Sequence, residues 1–379
     1  MSASFRLDGL IRARAGELAV PAAVGIGVLA YGAAANPRDA FPGLLTAALF
    51  GLTVALGGAV FAAIQGVSGA RWWAPVRPVA SALAGTLAVP GAALFLTLVL
   101  GLRTLYPWAR PGAAAVSHAL HAKAVWLNPS FFLARALVVL VLWMALASLL
   151  RDRLAALDGR PSAEANRAFA RASVLFLLLL APTLSAASWD WAMSLEPEWY
   201  STMFSVYIFS GTFLGGIAAV AVLAIWLDRR GLLGRRLAPE TLHDLGKLLF
   251  AFGTFWAYIW FCQYLLIWYS NLPEETPYFA RRLTGGWTLL FWLNPVLNFG
   301  VPFAALLSAR VKRRPGFLAQ VALVVLLGRW LDSYLLIAPA GSPLPSFPVY
   351  AVVATLLLVP GMLLLFSRLF EKTGGAIGS

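Results

Sequence analysis

Histidine and cysteine are nearly missing from this chain. Three His and one Cys stand among 379 residues, and their scarcity excludes several chemistries. There is no CxxC pair, no CxxCH haem attachment and no four-Cys iron–sulfur pattern. Cys262 sits in an apolar, aromatic run and reads as a packing residue. A membrane haem b needs axial His on facing helices, but His118, His121 and His243 all fall near predicted membrane edges. His118 and His121 have the i,i+3 spacing of metal ligands, yet no further Cys, His or acidic ligand stands beside them. No cofactor and no metal are therefore expected on this chain. Phosphate-binding motifs are missing too: there is no Walker A sequence and no GxGxxG following a strand, which argues against an ATP-driven pump. Charge is also scarce. Only 12% of residues are Asp, Glu, Lys or Arg, against roughly 25% in soluble domains. The formal net charge of +13 does not point to nucleic acid, because the basic residues form short clusters between apolar runs instead of one surface.

What replaces charge is hydrophobicity, at 60% of residues. The composition predicts an all-α polytopic membrane protein, in which every backbone polar group is satisfied inside a helix. Ten segments reach the roughly 20 residues needed to cross a bilayer. They lie near 17–35, 44–65, 78–101, 129–150, 172–190, 201–227, 243–270, 286–309, 316–338 and 348–369. The first follows the basic start "MSASFRLDGLIRARAGE" and reads as a retained span, not a cleaved signal. Lys and Arg set the orientation. One side of the predicted membrane collects Arg6, Arg12 and Arg14, Arg71 and Arg77, the cluster Arg151–Arg171, Arg229–Arg236, Arg310–Arg314, and Arg368 with Lys372. The other side has only Arg38, Arg103, Arg110, Lys123, Arg281 and Arg282. Both termini are therefore expected in the cytoplasm. The outer connections "LYPWARPGAAAVSHALHAKAVWLNP", "NLPEETPYF" and "APAGSPLPSFPVY" are rich in Pro and aromatics and suit docking against other subunits. Gly211, Gly215 and Gly216 form a small-xxx-small pattern that lets backbones approach, and Gly57 and Gly58 offer the same in the second span.

Ionisable residues inside spans are costly and so informative. Arg329 and Asp332 in "GRWLDSYLL" are three apart on one helix face. Counted from Phe317, they fall close to mid-membrane. Two readings stand side by side: an ion pair that locks packing, or a proton-relay pair. In "LHDLGKLLF", His243, Asp244 and Lys247 share one face at the cytoplasmic edge, either as an ordinary Asp–Lys pair in a first helical turn or as a proton entrance. Asn294 and Asn298 are mid-helix amides suited to bonding between helices. Gln263, Tyr264, Trp268 and Tyr269 approach the outer side. Arg135, two turns into the fourth span, has the length to snorkel. Finally, "SWDWAMSLEPEWYSTMF" puts Asp190 between Trp189 and Trp191 at the outer rim, both tryptophans being assigned to the outer aromatic belt. Asp190 there serves as an anchor, a proton-release group or a partner for a quinol hydroxyl.

Three stretches together carry a family resemblance: "DWAMSLEPEWYSTMFSVYIFSG", "HDLGKLLFAFGTFWAYIWFCQYLLIWYSNLPEET" and "RWLDSYLLIAP". From Ser188 to Pro339 the chain resembles the ActF family of membrane subunits of bacterial alternative complex III. That family falls within the wider polysulfide-reductase-like (NrfD-like) class. The first 180 residues agree in helix count and order. The resemblance implies two adjacent four-helix bundles, spans two to five (44–190) and six to nine (191–338). Flanking them are the first helix with the N-terminus (1–43) and the tenth helix with the C-terminus (339–379). It also implies a place in a quinol:cytochrome c oxidoreductase of a respiratory or photosynthetic chain in the bacterial inner membrane. Partner chains would include a paralogous quinol-site membrane subunit, an iron–sulfur subunit and c-type haem subunits. Quinol, haems and iron–sulfur clusters would then be held by those partners, with this chain structural and proton-conducting. Asp190, His243, Asp244, Lys247, Arg329 and Asp332 are the candidate proton-path residues. Asp190 with Trp189 and Trp191 forms the candidate quinol site of a rival reading, and a stand-alone secondary transporter is a further rival. One departure from the family pattern is Asn298 in "LNPVLNFGVPF", where a His is expected; an amide does not titrate.

Overall fold

The computed structural model describes residues 7–113 and 118–373, with residues 7–18 and 118–119 as backbone only. The side chains of Arg6, Arg12, Arg14 and His118 therefore lie outside the described residues. Ten long helices dominate and no strand occurs among the described residues. They are α1 Leu7–Ala35, α2 Pro37–Ser68, α3 Ala74–Leu105, α4 Pro129–Gly159, α5 Ala163–Trp191, α6 Phe204–Arg229, α7 Pro239–Ser270, α8 Trp287–Leu306, α9 Pro315–Gly341 and α10 Val349–Lys372. Among the described residues nine of these, α2 to α10, are long and apolar enough to cross a membrane, and α1 contributes the apolar stretch Ala19–Ala35. The chain is a multi-pass, all-α membrane protein.

Local signals set the helix ends. Asn128 caps α4 by accepting the Phe131 N–H, and Ser162 caps α5 by accepting the Ala165 N–H; each satisfies a donor that the first turn leaves free. Proline opens α2, α4, α7 and α9, where its missing N–H costs nothing. Inside α8, Pro295 is followed by a widened π turn over Val296–Gly300. The expected span 286–309 is found as one helix over Trp287–Leu306, widened at its middle by the turn that carries Asn298.

The helices close into two rings. In the first, α2 packs on α3 and α5, α3 on α4, and α4 on α5; in the second, α6 packs on α7 and α9, α7 on α8, and α8 on α9. The rings are joined along α2 and α6, with α9 also resting on α2. Helix α10 lies against α2, α3 and α1. The α2–α6 seam depends on Gly57 and Gly216. A Cβ at Gly57 would stand 2.3 Å from the Thr212 carbonyl oxygen, and one at Gly216 would stand 2.3 Å from the Gly57 carbonyl carbon. Backbone therefore touches backbone, as small residues permit in membrane helices.

Candidate functional site

Asp332 is the centre of a buried polar cluster formed by α6, α8 and α9. It is 1% exposed. Arg329 Nη2 stands 2.6 Å from Asp332 Oδ2, one helical turn away on α9. Two donors meet the other oxygen, Oδ1: the Tyr207 hydroxyl from α6 and Asn294 Nδ2 from α8, the latter at 2.7 Å. Asn298 Nδ2 then donates to Asn294 Oδ1 at 2.7 Å and to the Asn294 carbonyl at 3.0 Å. A chain of amides thus runs from Asp332 to the π turn of α8, where Asn298 Oδ1 is buried without a partner among the described residues. Gly211 makes room for the guanidinium, since a Cβ there would meet Arg329 Nη2 at 2.2 Å. The guanidinium carbon also lies 5.4 Å from the Trp256 ring centre, in cation–π range. The pair is neutral as a whole, and each charge has partners, as a low-dielectric interior demands. Tyr207 belongs to the first turn of α6, and Gly211 is only one turn further. Arg329 and Asp332 stand near the middle of α9, and Asn294 and Asn298 within the central turns of α8, so a residue from the start of α6 meets groups from the middle of its neighbours.

The second buried carboxylate, Asp190, is partnered across helices. Arg135 on α4 grips it side-on, with Nε 2.7 Å from Oδ2 and Nη2 2.9 Å from Oδ1. The Trp126 indole N–H adds a bond of 2.8 Å to Oδ1. The Arg135 guanidinium also lies over Trp126 and Phe131, at 4.0 and 4.3 Å from their ring centres, the two rings standing edge to face. Two expectations are corrected here. Arg135 does not snorkel; it is held by a carboxylate 55 residues away. Asp190 does not reach water at a rim, being 2% exposed. The aromatic pair also divides. Trp189 is 38% exposed, whereas Trp191 is 3% exposed and packs edge-on against Trp143. Neighbouring helical residues point about 100° apart, so one lines the surface while the other enters the core. The same turn is tied down further. Tyr106 donates to the Trp191 carbonyl at 2.9 Å, and Ser194 Oγ donates to the Asp190 carbonyl at 2.5 Å.

Beyond α5 the connection to α6 is locked by Glu196. Its two oxygens accept from Arg282 Nη1 at 2.9 Å and Arg281 Nη1 at 3.0 Å. Arg282 is buried, donates to the carbonyls of Tyr278 and Leu335, and lies 3.5 Å over the Tyr278 ring. Tyr278 in turn stacks on Trp199 with ring centres 3.8 Å apart. Burial pushes the Tyr278 hydroxyl up from 10.0 to about 12, with Arg282 opposing and Glu196 adding to the rise. Burial pulls the Lys123 amine down, against the pull of Glu198, while its Nζ donates to the Pro197 carbonyl at 2.6 Å. The Glu196–Arg282 lock was not read from the sequence. Glu274 and Glu275 stand much nearer to the arginines in the chain, and spacing alone could not pass them over.

At the opposite end of the molecule, Lys247 Nζ lies 2.6 Å from Asp244 Oδ1, with the lysine side chain 55% exposed. Among the described residues His243 shares no hydrogen bond with either of them, so the direct contact at this edge is the Asp244–Lys247 pair. Gln263 bonds across to Ser201 at 2.9 Å, tying α7 to the start of α6. Among the described residues no group of three or more His, Cys, Asp and Glu could hold a metal ion.

Chemically, the two carboxylates differ in the kind of donor around them. Asp190 faces N–H donors only, a guanidinium and an indole, neither of which releases a proton at ordinary pH. Asp332 faces a phenol, which both donates and accepts and can rotate between partners. Comparison with known proteins gives no further guide: no protein-family model and no curated protein sequence matches the chain.

Proposed function

We propose that the chain is an integral membrane subunit of a quinol:cytochrome c oxidoreductase of the alternative complex III type, structural and proton-conducting. It spans a bacterial inner membrane ten times with both termini in the cytoplasm, and its two rings of helices are the two four-helix bundles of such a subunit. The observation that supports this most is the neutral, buried Tyr207–Asp332–Arg329–Asn294–Asn298 cluster. A membrane helix bundle retains such a group at a desolvation cost that packing alone seldom offsets. Asp332 with Tyr207 is the proton-handling pair. The amide chain leads from it toward α7, where Gly253 lies against the Asn298 carbonyl oxygen, 3.2 Å from an added Cβ. From there Lys247 is six residues away, about 9 Å along the helix. Asp244, Lys247 and His243 form the cytoplasmic approach, with water bridging the gap. The Asp190–Arg135 pair is the anchor that fixes the opposite end. Quinol, c-type haems and iron–sulfur clusters are held by partner subunits. The test is purification of the tagged chain from native membranes in mild detergent. The expected result is co-purifying c-type haem absorbance and an iron–sulfur signal; a chain that purifies alone, with neither, contradicts the reading.

A second reading, binding of quinol by this chain itself, is favoured by one feature. A cleft of about 280 Å³ is lined by Trp126, Trp189, Trp199 and Tyr200, and the Trp199 indole N–H is buried without an acceptor. Asp190 and Trp191 are not among its lining residues, so a ring bound there would rest on Trp189 and Trp199. Quinone retained by the wild-type chain and lost in Trp199→Phe would support it.

A further inference from the structure

Between α2, α5, α6 and α9 lies a cavity of about 40 Å³. Its apolar walls include Leu52 and Leu184. Its polar lining is Arg329 and Ser333 on α9, Ser188 and Trp191 on α5, and Thr53 on α2, whose hydroxyl donates to the Leu49 carbonyl. Arg329 and Trp191 are both more than nine-tenths buried. Each also carries an N–H without any acceptor: Arg329 Nη1 and Trp191 Nε1. A buried donor left unpaired loses its hydration with nothing in return, so two on one cavity call for an explanation. The two serines do not supply the acceptors. Ser188 donates to the Ser185 carbonyl at 2.8 Å and Ser333 to the Arg329 carbonyl at 3.0 Å. Their hydroxyl protons are thus committed, but their oxygens keep lone pairs that can receive.

We propose that this cavity is a buried water site, occupied by water that accepts from Arg329 and Trp191 and donates to the serine hydroxyls. The volume is sufficient, since a single water needs roughly 10–15 Å³ of such space. The demand is for an acceptor that can also donate, which water meets and an apolar molecule does not. An anion is not called for by charge, because Asp332 already neutralises Arg329. The site has a consequence for the whole molecule. It sets water between Arg329, the charge partner of Asp332 in the second ring of helices, and the last turn of α5, the turn that also carries Asp190. This inference rests on the unpaired donors and the cavity, independently of the assignment to a quinol-oxidising complex.

The test begins with an experimental map of the native chain in its purified form, at a resolution where other buried waters are visible. Density is expected within hydrogen-bonding distance of both Arg329 Nη1 and Trp191 Nε1. An empty cavity in such a map overturns the proposal, as does an anomalous peak in the cavity after bromide exchange, which would name a halide in place of water. A filling variant, Ser188→Val, supplies an independent sign. A dry apolar cavity gains thermal stability when filled, whereas a wet one loses it because the water is expelled and the donors are stranded. A fall of several degrees in unfolding temperature relative to Ser188→Ala supports the water site; a rise contradicts it.

Discussion

Asp190 and Asp332 are both buried carboxylates paired with arginine and touched by further donors, yet they are built in opposite ways. Asp332 takes its arginine from the same helix, three residues back, and its other donors from two neighbouring helices. Asp190 takes its arginine from another helix and its third bond from an indole on the connection before that helix. The first arrangement folds with its own charge partner already in place. The second can form only when α4, α5 and the 120–128 connection have come together. The contrast teaches that burial of a carboxylate does not define its role. The donors differ: Asp190 accepts from nitrogen donors alone, while Asp332 accepts from nitrogen donors and from a phenol besides.

The largest effects are expected where one charge of a pair is stranded. Arg135→Met leaves Asp190 buried without its cation, and Asp332→Asn leaves Arg329 without its anion; each is expected to cost about 3–5 kcal/mol. Detergent-solubilised yield and unfolding temperature read this directly. The double change Arg329→Gln/Asp332→Asn is expected to recover part of the Asp332→Asn loss. Additive losses would show that the two side chains do not act as a pair. Next come the close contacts of glycine. Gly57→Ala forces two backbones apart, and Gly211→Ala drives a methyl group into the Arg329 guanidinium; overpacking of this kind costs about 1–3 kcal/mol. Only Gly211→Ala is expected to lose further stability through the Asp332 pair, so combining it with Asp332→Asn should be less than additive.

Tyr278 gives a pH dependence of comparable upper size, confined to strongly alkaline conditions. Its hydroxyl is raised from 10.0 to about 12, so the unfolded chain releases that proton before the folded one. The resulting stability is complete below pH 10 and is lost as pH rises through 12, up to about 2–3 kcal/mol in all. Tyr278→Phe should flatten the fall in unfolding temperature between about pH 10 and 12. The smallest effect is expected at the other end of the molecule. Asp244→Asn breaks an ion pair with a half-exposed lysine and should cost under about 1 kcal/mol, diminishing with salt.

The sequence carried one of these two sites and not the other. Arg329 and Asp332 are three apart in an apolar run, and that spacing alone puts them on one face; the amides Asn294 and Asn298 were legible as bonding groups for the same reason. Tyr207 was not, because a tyrosine near the start of an apolar run has the form of any interfacial aromatic. The partner of Asp190 was equally hidden. Arg135 lies in a different predicted helix, and no periodicity within a helix tells which residue faces it across the gap. Trp191 shows the same limit, since two tryptophans flanking one Asp look alike until the helix face is known. The helical membrane fold itself was plain, because long apolar runs permit little else. The π turn after Pro295 and the ring-like closure of the helices depend on packing, which no single run contains.

Single-donor deletions at the two carboxylates test the central contrast most directly. Tyr207→Phe removes only the phenol oxygen beside Asp332, and Trp126→Phe removes only the indole donor beside Asp190; both leave the ion pairs intact. Under the proposed function, the measurement is proton movement per quinol oxidised by the assembled complex in sealed vesicles, after confirming that each variant assembles. Tyr207→Phe is expected to lower that ratio with quinol turnover retained, and Trp126→Phe to leave it unchanged. An unchanged ratio in Tyr207→Phe, or a loss in Trp126→Phe instead, would contradict the assignment of proton handling to Asp332 and anchoring to Asp190.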